Sequence, residues 1–93
     1  MSEGVKVIVP DIHMPKWVSP GKARECMNEY LDIVRAKWGE VGASVLTYIG
    51  FYTVKQIHEK VKELYPEVKL KDVVDILMNL YEKGYITFEE ISE

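Results

Sequence analysis

TVKQIHEKVKELYPEVKLKDVVDILMNLYEKGYI, residues 53–86, decides the fold of this 93-residue chain. Thr53 and Gln56 have capping-box spacing: the threonine hydroxyl can accept from the amide three residues on, while the glutamine reaches back. Tyr52 and Ile57 occupy the two staple positions around that box. Val54, Ile57, Val61 and Leu64 then recur at helical spacing, which predicts a helix with those residues inward until Pro66 ends it. After the turn Pro66-Glu67-Val68-Lys69, a second helix is expected over residues 70–83, burying Val73, Val74, Leu77 and Leu80. Gly84 supplies a left-handed stop. Tyr85 to Ile91 (YITFEEI) then has the composition of a strand.

Upstream of that stretch, residues 40–49 read as a shorter helix with Val45, Leu46 and Ile49 inward, ended by Gly50. Before it, Ser19-Pro20 opens a longer helix, with serine as N-cap and proline where its missing N–H costs nothing. Ala23, Met27, Tyr30, Leu31, Val34 and Trp38 fall three or four apart and form its stripe, and Gly39 reads as its stop. Pro10, Pro15 and Pro20 make the preceding segment an extended connection, because proline denies a chain both helix and ladder bonds. The run VKVIV, from Val5 to Val9, is β-branched and reads as an N-terminal strand. The predicted fold is therefore mainly α (α+β): about four helices and a small two-stranded antiparallel sheet joining the N- and C-terminal strands. Residues 1–93 form one domain, divided into an arm (1–19), an added helix (20–38) and a helix-turn-helix with its strand (41–91).

Composition narrows the function classes. With 47% apolar and 29% charged residues, the chain can bury one modest core. Its apolar runs are only a few residues long, so no membrane span or leader is expected and the cytoplasm is the expected location. Cys26 is the sole cysteine, which excludes a disulfide framework within the chain. Net charge is −3, the wrong sign for a protein that simply coats nucleic acid. The distribution is uneven: residues 53–71 carry five lysines against three glutamates, whereas residues 72–93 carry one lysine against six acids.

The order of helix, support helix, turn, second helix ending Leu80-x-x-x-Gly84-Tyr85-Ile86, and strand resembles the winged helix-turn-helix DNA-binding domains. The resemblance spans residues 41–91 and implies a winged helix-like fold, double-stranded DNA as partner and a role in transcription regulation. It implies that residues 70–83 are the recognition helix, with Lys69, Lys71 and Asn79 on the DNA side and Lys55 and Lys62 on phosphates. Lys16, Lys22 and Arg24, beside Trp17, would extend that contact through the arm. Regulators of this kind pair through added helices, which makes a homodimer through residues 20–38 or the terminal strands a further expectation. Two departures support an alternative. No second wing strand is expected after YITFEEI unless Val5–Val9 serves as its partner, and the outward face expected for residues 70–83 offers Asp72, Asp75 and Glu82 besides Lys71 and Asn79. Carboxylates repel phosphates, so an interaction module holding a protein partner through these acids, Glu89 and Glu90 is the rival function.

Catalysis is not expected. Asp11-Ile12-His13 after a β-branched run imitates the opening of a dinuclear metallophosphoesterase, but such a centre needs several more ligands than His58 can supply. There is no glycine-rich phosphate loop and no nucleophile with a recognisable base. No cofactor, metal or catalytic residue is assigned. Cys26 reads as a small core or interface residue.

Overall fold

The computed structural model describes residues 8–91. In chain order it runs β1 (His13–Trp17), α1 (Pro20–Glu25), a π-helical turn (Cys26–Tyr30), α2 (Leu31–Thr47), α3 (Val54–Leu64), α4 (Leu70–Glu82) and β2 (Ile86–Glu90). The described residues are mostly helical, with a small two-stranded antiparallel sheet.

Local chemistry starts and stops the elements. Gln56 N donates to Thr53 Oγ1 at 3.3 Å and Thr53 N donates to Gln56 Oε1 at 3.0 Å, so the expected capping box is formed. At α4 the Asp72 carboxylate accepts from Lys69 N at 3.0 Å, placing negative charge at the positive end of the helix. Gly84 ends the segment with φ at 86°, a conformation that favours glycine. Val54, Ile57 and Val61 are fully buried as expected, but Leu64 is 63% exposed. The inward row continues at a spacing of four to Tyr65, which packs on the core, and Val68 from the turn is buried beside it. On α4, Ile76 is fully buried, whereas Val74, expected inside, is only half-buried.

Three helical rods stand where about four helices were expected, because α1, the π-turn and α2 follow one another without a loop. Gly39 breaks helical geometry where a stop was expected, with φ 69° and ψ −154°, a region open essentially to glycine alone, but helix resumes directly after it, so the two segments form one bent rod. The bend is sharp. A Cβ on Gly42 would lie 2.6 Å from Val34 Cγ1, although residues eight apart in a straight helix are about 12 Å apart. The π-turn, in which Leu31 N–H reaches Cys26 O, sets the rod's inward face. Cys26, Tyr30 and Val34 are buried at a spacing of four, while Met27, expected inward, is 37% exposed.

The sheet pairs the two ends of the described chain, but not through the expected segment. Residues 5–7 lie outside the described residues, and Ile8 and Val9 belong to no strand. The partner of β2 is β1, from the proline-bearing connection, in the register His13↔Glu90, Pro15↔Phe88 and Trp17↔Ile86. A proline can serve there because of register. The ladder bonds Ile91 N to Ile12 O at 2.6 Å and Val18 N to Tyr85 O at 3.0 Å; alternation then puts Pro15 at an unbonded position. Its backbone faces the other way, and its carbonyl accepts from Gly50 N at 2.7 Å. His13, Phe88 and Ile86 point inward and close the core over α4 and α3.

Candidate interaction surface

The helix expected to read DNA is enclosed on several sides. Val73, Ile76, Leu77 and Leu80 face the core. Tyr81 packs on Phe88 of β2 with ring centroids 5.4 Å apart. Asn79 was expected to point outward; instead it is half-buried, and its side-chain carbonyl accepts from the Tyr30 hydroxyl of the π-turn. What α4 leaves exposed is a narrow strip of Lys71, Asp75 and Glu82, in which Lys71 Nζ sits 2.8 Å from Asp75 Oδ2. That contact raises the lysine's pKa, chiefly through its hydrogen bond to Asp75.

The remaining candidate cations are spread over the surface, and several are matched by acids. Lys16 lies 2.7 Å from Glu89 across the sheet, Lys22 3.5 Å from Glu25, and Lys55 3.7 Å from Asp11. Such exposed pairs contribute little to stability, about 0–1 kcal/mol each, but they flatten the local potential. Lys62, Lys69 and Arg24 are exposed and make no ion pair among the described residues. Trp17 packs against the core from β1. The start of α3, a natural phosphate seat, is filled by the chain itself: Lys55 N donates to Pro10 O at 3.0 Å, and Gln56 N to Thr53. At the start of α4 the Asp72 carboxylate stands in the position an anion would take.

The surface does offer an apolar cleft. Trp38, Val41, Leu64, Tyr65, Pro66 and Val68 line an opening of about 550 Å³ between the bend of the first rod and the α3–α4 turn. Glu67 and Asp72 are the charged residues lining it. Gly39 places Val41 beside Trp38, and Pro66 turns the chain so that Leu64 is left at the lip. A shallower depression of about 320 Å³, with Met27, Leu31 and Tyr48 on its walls, shares Leu64 and extends the apolar surface along the rod. Reading Leu64 as core concealed this feature. The signal for it is the apolar Leu64-Tyr65 pair set directly against a helix-ending proline.

The other residues weighed for chemistry do not converge. His13 is 4% exposed, with Nδ1 2.9 Å from Val9 N and 3.1 Å from Val9 O, while Asp11 is exposed and turned to Lys55. His58 Nε2 lies 3.3 Å from Val68 O and ties α3 to the turn. Among the described residues no three His, Cys, Asp or Glu side chains gather as a metal site would require. No described helix is long and apolar enough to cross a membrane.

Cys26 is fully buried, and burial, followed by the nearby Glu25, pushes its thiol up from 9.0 to about 11. Over this interval the unfolded chain releases a proton that the folded chain keeps, so stability is full below pH 9 and falls as pH rises towards 11. The expected loss is about 1–2 kcal/mol once solvent screening is allowed for. Tyr30 and Tyr85, raised mainly by burial, act in the same direction above pH 10. Urea unfolding across pH 8–11 measures the slope. It should flatten in Cys26→Ala, and an unchanged slope in that variant would remove the thiol as its source.

Comparison with protein-family models, with curated proteins and with solved structures finds no match for this chain.

Proposed function

We propose that this chain is a winged helix-like protein-interaction module, in which α3, α4 and β2 keep the order of a support helix, recognition helix and strand without reading DNA. The observation that carries this reading is the apolar cleft with Leu64 at its lip, because a large exposed leucine beside aromatic walls is a surface that gains from being covered. Three features of the electrostatics support it. The exposed strip of α4 is closed by Lys71 and Asp75, the first turns of α3 and α4 are occupied by the chain's own groups, and the net charge is −3. A protein that neutralises several phosphates needs a continuous cationic face. On this reading Lys69, Lys71, Lys55, Lys62, Lys16, Lys22 and Arg24 serve as solvated or ion-paired surface, and Asn79 as a bridge to Tyr30.

Duplex DNA binding, which the family resemblance implies, is the rival, and one titration separates the two. Fluorescence anisotropy of a labelled 30-base-pair duplex at low and at physiological salt is expected to show no saturable binding at protein concentrations up to about 10 μM. Micromolar or tighter binding that weakens steeply with salt, and weakens again in Lys62→Glu/Lys69→Glu, would overturn the reading and assign the chain to DNA.

A further inference from the structure

We propose that the cleft at the bend of the first rod receives a partner segment bearing one large apolar side chain flanked by lysine or arginine. The proposal rests on the protein-interaction reading and names the chemistry of its partner. The walls are aromatic and aliphatic, Trp38 and Val41 on one side and Leu64 and Tyr65 on the other, with Val68 buried at the base. The opening of about 550 Å³ lies within the range of roughly 300–1,000 Å³ that encloses compact ligands, room enough for one bulky anchor.

Charge selects what can accompany that anchor. Both charged residues lining the cleft are acids, and Glu67 makes no ion pair among the described residues. Asp72 accepts from Lys69 N–H through Oδ2, and its charge also acts on the neighbouring Lys71. Lys37 Nζ lies 5.0 Å from the centroid of the Trp38 ring and covers that face. An incoming Lys or Arg would find two carboxylates beside one apolar opening, whereas an acidic segment or a nucleic-acid backbone would be repelled by the same pair. Complementarity of this kind sets specificity, while the buried anchor supplies most of the affinity.

A random dodecapeptide phage library panned against the full chain tests the proposal. The expected consensus is one Leu, Ile, Phe, Met or Trp with Lys or Arg within a turn of it. Synthetic versions of the enriched peptides should lose about tenfold or more in affinity to Leu64→Asp and several-fold to Glu67→Lys, with binding that weakens in salt. Leu64 and Glu67 are both exposed, so the variants should keep the parent far-UV circular dichroism. Enriched peptides that bind Leu64→Asp as well as the parent, or that show no basic bias, overturn the cleft assignment and leave the protein-interaction reading standing. An absence of any enriched peptide overturns both. Sedimentation that shows a dimer abolished by Leu64→Asp assigns the cleft to a second copy and overturns the partner named here.

Discussion

Replacing Ile76 by alanine is expected to destabilise the fold by about 2–5 kcal/mol, whereas Val74→Ala, two residues away on the same helix, should cost about 1 kcal/mol. Ile76 is completely buried among the core residues, so truncation removes apolar atoms that the surroundings cannot replace. The penalty then combines the lost transfer energy with a cavity term. Val74 is half-buried at the edge of the same core, and solvent relaxes into the space it leaves. The comparison tests the rotation of α4. A helix turned to present a broad reading face would expose position 76 and bury position 74, reversing the order. Urea midpoints for the two variants decide it, and equal costs would contradict the enclosure of α4 described above.

Gly42→Ala should also destabilise, by about 1–3 kcal/mol, which is the opposite sign from the usual effect at an exposed helix interior. Alanine normally gains there because glycine has more backbone freedom to lose on folding. At this position a Cβ would lie 2.6 Å from Val34 Cγ1, 3.1 Å from Trp38 Cβ and 3.3 Å from Val34 O. Val34 is fully buried and cannot swing aside, so the bend itself must open. The double variant Gly42→Ala/Val34→Ala tests the cause directly, since removing Cγ1 relieves the closest of the three contacts. A coupling of about 1 kcal/mol in the stabilising direction is expected from a double-mutant cycle. A neutral or stabilising Gly42→Ala alone would show that the rod is straighter than described.

The elements set by local chemistry were legible in the sequence. Thr53 and Gln56 cap α3 through neighbours three residues away, Ser19 Oγ accepts from Lys22 N at 3.1 Å, and Gly84 turns the chain where glycine must. What escaped depends on residues far apart in the chain. Gly39 announces a departure from helix, but whether the chain stops or bends is decided by what Gly42 meets on Val34. A proline inside a strand reads as a contradiction until register puts Pro15 at an unbonded position. Asn79 looks like an outward polar residue because Tyr30, its partner, is 49 positions earlier. Periodicity gives Leu64 and Tyr65 almost equal claims on the core, and the buried Val68 beyond the proline is what separates them. The cleft needed both the break at Gly39 and the outward turn of Leu64, and so left only its apolar Leu64-Tyr65-Pro66 edge in the sequence.

The pairing of β1 with β2 also fixes how the domain attaches to anything else. Ile91 N bonds to Ile12 O, and His13 stands opposite Glu90, so the described chain enters and leaves through one corner. Bodies joined directly at the two described ends would be held side by side rather than at opposite poles. With its entry and exit adjacent, the unit has the geometry of a module that can be set into a surface loop of a host protein without stretching either strand of the host.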